Sequence, residues 1–246
     1  MVESGAQFGI IGSAGRMGQA LVKSIAEAGH IFAGGVDQGE QPGPLATRCD
    51  ALIDFSAPAA LAGNIGAARV AGIPIIIGTT GLETAHHRII DEASQVLPIL
   101  QTGNTSLGVT LLAHLVRDAA KSLGPDWDIE IVEMHHRDKV DAPSGTAKLL
   151  GEAAAQGRGI DLSENTESGR DGMTGARAEG AIGFAALRGG SVAGDHSVIL
   201  AGNEERITLT HKAENRMIFA RGAVKAAAWM IGREPGRYTM NDVLGL

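Results

Sequence analysis

The densest cluster of chemically able side chains in this 246-residue chain is EMHHRDKVDAPSGTA, residues 133–147. His135, His136, Arg137 and Lys139 fall within five residues, and Pro143-Ser144-Gly145-Thr146 follows as a turn opening a predicted helix. A helix N-terminus carries partial positive charge, so Ser144, Gly145 and Thr146 beside cationic side chains suit a carboxylate. Histidine exchanges protons near neutral pH, and lysine can give one to an atom that gains negative charge during a reduction. The plainer reading is a solvated basic loop before a capped helix, and these residues alone leave both open. The His86-His87 pair, on a predicted exposed helix, takes the plainer reading.

A second cluster concerns a nucleotide. Gly12-Ser13-Ala14-Gly15-Arg16-Met17-Gly18 stands where a first predicted strand turns into a first helix. Backbone N–H groups there can hold a pyrophosphate, and glycines permit the tight turn and close helix packing. The spacing is G-x-x-G-x-x-G, with Ala14 at the middle position of the commoner G-x-G-x-x-G. Asp37 follows the next apolar strand, 25 residues after Gly12, where an acid receives adenosine ribose hydroxyls. Gln38 is neutral, leaving Arg16 as the nearby cation for a 2′-phosphate, so NADH is expected to serve at least as well as NADPH. Gly78-Thr79-Thr80-Gly81 and Thr102-Gly103-Asn104-Thr105-Ser106 follow two further strands and point at the same cofactor. Helix capping is the competing role for these segments, with Thr84 and Ser106 as N-cap candidates.

Other chemistries lack their residues. Cys49 is the only cysteine and precedes a strand, Tyr238 is the only tyrosine with no lysine four positions on, and no G-x-S-x-G occurs. Adjacent histidines cannot easily share a metal, and no H-E-x-x-H is present, so no metal is expected. A net charge of -7 argues against nucleic acid while permitting a small anion in a locally positive site. The apolar run 73–77 is too short for a bilayer, and the opening MVESGAQFGIIG has no basic segment before an apolar one, so a cytoplasmic protein off the membrane is expected.

The elements that must position these residues follow from periodicity. Short apolar runs at 8–11, 31–36, 51–55, 73–78 and 97–101 alternate with helical patterns at 16–28, 59–71 and 84–95. Unalternating strands separated by helices predict an α/β, doubly wound, Rossmann-like parallel sheet. From residue 128 the pattern changes: 129–134 alternates, 144–155 reads as a helix and 158–178 as a polar glycine-rich loop. Strands at 183–187, 196–200 and 206–210 follow without long helices, predicting a second, smaller α+β domain on a mixed or antiparallel sheet. A helix at 216–231 is expected to return to the first domain. The expected division is a dinucleotide-binding domain, 1–106 completed by 216–246, and a substrate-binding and oligomerisation domain, 107–215.

Taken together, the 133–147 segment, GSAGRMG, Gly78-Thr79-Thr80-Gly81, Asn104-Thr105-Ser106 and His211-Lys212-Ala213 through Arg216 resemble the 4-hydroxy-tetrahydrodipicolinate (dihydrodipicolinate) reductase family. The match runs in order over nearly the whole chain, and H-H-R-x-K-x-D-x-P-S-G-T-A is highly specific. The resemblance implies reduction of 4-hydroxy-tetrahydrodipicolinate to tetrahydrodipicolinate and water by NADH or NADPH, in diaminopimelate and lysine biosynthesis. It implies His135 as proton donor or acceptor and Lys139 as a second donor near the ring nitrogen. His136, Gly145, Thr146 and Arg216 would hold the two carboxylates of a small dianionic cyclic substrate, with Ser144 at the same turn. Gly12, Ser13, Ala14, Gly15, Arg16, Met17, Asp37, Gln38, Gly78, Thr79, Thr80, Thr102, Gly103, Asn104 and Thr105 would line the dinucleotide. It also implies a homotetramer through the second domain's sheet. Against the family pattern, segment 38–49 is short, Gln38 stands where arginine is common, and Thr105 replaces an apolar or aromatic residue. Two other functions compete: a reductase of another cyclic imine on the same scaffold, and a nucleotide sensor without turnover. A sensor has no need of the His135–Lys139 pair.

Overall fold

The computed structural model describes residues 5–246. Part of the amino-terminal segment weighed above, residues 1–4, lies outside the described residues. The chain divides into two compact units, one running to Leu107 and resuming over Arg216–Leu246, the other Gly108–Asn215.

The first unit contains β1 (Gln7–Ile11), α1 (Arg16–Glu27), β2 (Ile31–Val36), α2 (Gly43–Ala46), β3 (Ala51–Asp54), a 3-10 turn (Pro58–Ala60), α3 (Leu61–Ala71), β4 (Ile75–Ile77), α4 (Thr84–Ser94) and β5 (Pro98–Gln101). The helix that follows β5 is α5 (Leu107–Leu123). The second unit continues with β6 (Asp128–His135), α6 (Gly145–Arg158), β7 (Thr166–Ser168), β8 (Ile182–Arg188), β9 (Asp195–Ala201) and β10 (Arg206–Lys212). The chain ends with α7 (Met217–Met230), β11 (Gly236–Tyr238) and α8 (Met240–Leu244), grouped with the first unit.

The first sheet has the order β11-β5-β4-β3-β1-β2, and all its pairings are parallel. This is the expected doubly wound, Rossmann-like sheet. Its inner strands β1, β3, β4 and β5 are mostly apolar because both of their faces are covered. Phe8, Ile10, Ile53, Ile76 and Leu100 pack with α1 and α7, while Ile11, Leu52, Ile75, Ile77 and Ile99 pack in a second cluster with α2, α3 and α4. The small residues Ala220, Ala223, Ala226 and Ala227 let α7 approach closely. From β1 the chain leaves to one side for β2 and returns on the other for β3, which opens a crevice at the carboxyl ends of these strands.

The second sheet has the order β10-β9-β6-β8-β7, with β9 antiparallel to both neighbours and β8 parallel to β6 and β7. The mixed sheet anticipated from the strand pattern is present. Burial alternates along β6, where Ile129, Ile131, Glu133 and His135 face inward. Leu112, Val116, Leu150 and Ala154 from α5 and α6 cover that face.

Several local expectations need correction. Glu83, not Thr84, precedes α4, because His86 Nδ1 accepts from the Glu83 backbone N–H at 3.0 Å and gives the cap its second acceptor. The histidine pair is half-buried rather than exposed, His86 in that cap and His87 beside Arg237. The loop at 158–178 contains β7, and its arginines pair inward, Arg170 with Glu167 and Glu130, Arg177 with Asp128 and Glu130. Segment 38–49 holds the single turn of α2, and β11 and α8 appear where no element was expected. All three are too short for periodicity to register.

Candidate active site

In the first unit the backbone does most of the positioning. Gly12 takes φ +86°, a conformation few other residues tolerate, and its N–H donates to Val36 O at 2.8 Å. A Cβ at Gly12 would sit 2.5 Å from Phe55 O, and one at Gly18 would sit 2.3 Å from Gly12 O. Close packing of turn on helix therefore depends on glycine at both positions. Helix α1 begins at Arg16 with no side-chain cap and no acid in its first turn, so its positive end suits an anion. Ala14, Gly15 and Arg16 are exposed there, and Met17 packs partly into the core.

Asp37 is tied to the same turn. Its carboxylate accepts from Ser13 Oγ at 2.7 Å and from the Ala14 N–H at 3.0 Å. A cleft of about 490 Å³ at the ends of β1, β2 and β3 is lined by Gly12, Asp37, Gln38, Gly39, Ser56 and Asn64, among others. The structure thus brings Gly12, Asp37 and Gln38 to one cavity.

The remaining expected cofactor residues divide by direction. Thr80 and Gly103 are exposed, while Thr102 Oγ1 donates to Asn104 O at 2.9 Å. The side chain of Asn104 accepts from the Ser106 N–H at 2.9 Å. Gly78 lies under the Phe55 ring, which a Cβ would meet at 2.2 Å. Thr79 and Thr105 are buried with hydroxyls turned inward, Thr105 Oγ1 donating to Phe219 O of α7 at 2.7 Å. The Thr79 hydroxyl donates to Asp54 at 3.3 Å and accepts from the Ser56 N–H at 3.1 Å. Asp54 is fully buried and also accepts from Ser56 Oγ at 2.6 Å and Asn64 Nδ2 at 3.0 Å. That carboxylate fastens the loops after β3 and β4 together. Sequence reading passed it over, although an acid ending the apolar run ALID was a visible signal.

In the second unit side chains do the positioning. Glu133, 1 % exposed, lies two residues before His135 on the inward face of β6. One of its oxygens receives His135 Nδ1 at 2.6 Å and Arg188 Nη1 at 2.8 Å. The other receives Arg188 Nη2 at 3.0 Å and the Ser144 N–H at 3.2 Å. Burial would raise the Glu133 carboxyl, but the hydrogen bonds from Arg188 and His135 outweigh it and hold the group below its ordinary range. Arg188 further donates to the carbonyls of Lys139 at 3.3 Å and Asp141 at 2.7 Å. One guanidinium therefore fixes both the carboxylate and the loop that carries the cations.

Lys139 Nζ donates to Asp141 at 2.7 Å, with the lysine side chain 18 % exposed. The His136 N–H bonds Val192 O at 2.8 Å. Ser144 caps α6, its Oγ accepting from the Ala147 N–H at 3.1 Å, and Gly145 and Thr146 form the first turn with no acid among them. His196 of β9 approaches from the other side, its Nε2 3.0 Å from Ser144 Oγ and its ring 5.1 Å edge-on from His135. Burial, reinforced by the neighbouring His135, pushes His196 down to about 4. Arg216 stands at the opening of α7, in the first unit, and is exposed. The sequence reading names His135, Lys139 and Ser144; it misses Glu133 on the same strand, and also Arg188 and His196, which only strand register brings alongside.

Cys49 is buried, and burial pushes its thiol up to about 11, which suits a packing residue rather than a nucleophile. Among the described residues no group of three or more His, Cys, Asp or Glu is arranged to hold a metal, and no helix is long and apolar enough to cross a membrane.

Comparison with known proteins adds to this geometry. Residues 6–105 match the family model for the N-terminus of dihydrodipicolinate reductase, and residues 108–244 match that for its C-terminus. The chain is 53 % identical to 4-hydroxy-tetrahydrodipicolinate reductase of Zymomonas mobilis over 99 % of both chains. It is 52 % identical to the reductase of the same name from Rhodopseudomonas palustris strain BisA53 over 96 % of both. Among solved structures, dipicolinate-bound dihydrodipicolinate reductase from Paenisporosarcina sp. TG-14 superposes with a TM-score of 0.75 at 20 % identity, covering 96 % of this chain and 97 % of that one. With both halves matched in order and half the residues shared with curated relatives, this chain belongs to the dihydrodipicolinate reductase family.

Proposed function

We propose that this chain reduces 4-hydroxy-tetrahydrodipicolinate to tetrahydrodipicolinate and water, as a step of diaminopimelate and lysine biosynthesis. The observation that carries this is the buried His135, anchored through Nδ1 to Glu133, in a chain half identical to curated reductases of that name.

The residues fit a dinucleotide. The uncapped opening of α1, the glycine turn and the cleft beside Asp37 supply donors, close approach and an acceptor for ribose hydroxyls. Gly12, Ser13, Ala14, Gly15, Arg16 and Met17 would take the pyrophosphate, with Asp37 and Gln38 on the adenosine side. Gly78, Thr79, Thr80, Thr102, Gly103, Asn104 and Thr105 would border the remainder, Thr79 and Thr105 through backbone, since their hydroxyls are engaged. When bound, the reduced nicotinamide supplies the hydride that saturates a carbon of the conjugated imine. Asp37 beside neutral Gln38 supports use of NADH at least as readily as NADPH.

His136, Ser144, Gly145, Thr146 and Arg216 hold the two carboxylates of the substrate. His135 and Lys139 exchange the protons that loss of the hydroxyl as water and reduction of the ring demand. Lys139 enters paired with Asp141, which keeps its ammonium placed. No metal takes part. We place the protein in the cytoplasm and assign it a homotetramer built through the second unit's sheet, where Leu187 and Ile207 are 50 % and 41 % exposed.

The test is an assay with the condensation product of aspartate semialdehyde and pyruvate, run separately with NADH and NADPH. Oxidation of the nicotinamide with formation of tetrahydrodipicolinate is expected, kcat/KM for NADH matching or exceeding that for NADPH. Inactivity with both would overturn the reductase reading, and a preference for NADPH of about a hundredfold, near 2.7 kcal/mol, would overturn the cofactor assignment.

A further inference from the structure

The hydrogen-bond count around Glu133 reaches beyond its part in holding the fold. A carboxylate has about four lone-pair sites and no proton to give. All four are taken here: His135 Nδ1 and Arg188 Nη1 on one oxygen, Arg188 Nη2 and the Ser144 N–H on the other. Three of the four, the two Arg188 nitrogens and the Ser144 N–H, can only donate, and with the guanidinium of Arg188 on both oxygens holding the carboxyl below its ordinary range the group is an anion. The imidazole nitrogen that meets it at 2.6 Å must then be the one bearing hydrogen.

We propose that Glu133, pinned by Arg188, is the positioning residue that commits His135 to carry a hydrogen on Nδ1, leaving Nε2 as its single proton-exchanging atom. This deepens the reductase reading and rests on it for its kinetic consequences. The surroundings of Nε2 agree. Gly194 lies beside it at φ +154°, and a Cβ there would come within 3.0 Å of Nε2 and 3.4 Å of His135 Cδ2. Glycine at this position leaves that nitrogen room. The other ring nearby, His196, engages Ser144 rather than His135 through Nε2, so it does not compete for the exchanging nitrogen. Lys139, whose carbonyl is held by the same Arg188, belongs to the loop that starts where His135 ends. Glu133, 1 % exposed and with its acceptor sites taken, has none left for a ligand and acts through the ring it orients.

The decisive experiment uses the full-length wild-type protein labelled with ¹⁵N-histidine. Long-range ¹H–¹⁵N correlation reads which ring nitrogen of neutral His135 bears hydrogen, the signal being assigned by its loss in His135→Gln. Hydrogen on Nδ1 is expected; hydrogen on Nε2 overturns the proposal, whatever the enzyme turns over. In Glu133→Gln, with folding checked by circular dichroism, kcat should fall roughly 100-fold while substrate KM stays within about threefold. The His135 tautomer should become mixed in the same variant. An unchanged kcat, or kcat retained with a raised KM, contradicts the positioning role, and if the variant does not fold the wild-type spectrum still decides. A wild-type protein with the expected tautomer but no reductase turnover would sink the reductase reading and leave the orientation of His135 standing.

Discussion

The turn after β1 and the inner end of β6 hold functional groups by opposite means. In the first, backbone does the work: Gly12 at φ +86°, Gly18 against the turn, and an uncapped helix end. In the second, a buried anion gathers donors from β6, β8 and the start of α6. A backbone site tolerates varied side chains but no added Cβ, whereas a side-chain site stands or falls with single charges. That would fit the proposed tasks of gripping a diphosphate through N–H groups and moving one proton from a defined atom.

The largest effect should come from the side-chain site. His135→Gln is expected to lower kcat roughly 10²–10⁴-fold with a smaller change in KM, read by steady-state kinetics. An unaltered kcat would remove His135 from the proton path and erase the contrast between the two regions.

Next is acid sensitivity, which should also concentrate in the second unit. His196 titrates near 4 in the fold against an ordinary 6.5, because it is buried beside His135. Between those values the unfolded chain takes up a proton that the fold refuses, so stability falls as pH drops from 6.5 towards 4 and levels off below. The loss amounts to about 3 kcal/mol. Glu133, held low, adds a further loss only as pH falls through its own depressed value. Urea midpoints across this range should slope less in His196→Gln, and an equal slope would place the acid sensitivity elsewhere.

The smallest effect belongs to the backbone site. Gly18→Ala should cost about 1–3 kcal/mol in urea unfolding, since its Cβ would fall 2.3 Å from a carbonyl that must shift. Dinucleotide affinity, measured by calorimetry, should weaken while binding of a substrate mimic is retained. Equal loss of both would blur the division of labour.

The same contrast explains what was legible in the sequence. Glycines, an acid after a strand and apolar runs are local signals, so the doubly wound sheet and Gly12 to Asp37 could be read directly. His135 and Lys139 stand out as candidates because they share one segment with Ser144. Glu133 could have been found, being two residues from His135 on an alternating strand, where both must share a face. Arg188 and His196 could not, because only the register of β8 and β9 on β6 brings them there. Thr105 illustrates a different limit: its place after β5 suggested a ligand, but a hydroxyl with no local partner turned to the carbonyl of Phe219, 114 residues away.

Co-crystallisation with a nicotinamide dinucleotide and pyridine-2,6-dicarboxylate, a planar mimic of the dianion, is the sharpest check on the proposed site. The diphosphate is expected on the Gly12–Met17 turn and the dicarboxylate at the Gly145-Thr146 turn, within hydrogen-bonding reach of His135 Nε2. A dicarboxylate bound elsewhere, with His135 Nε2 facing no ligand, would contradict it.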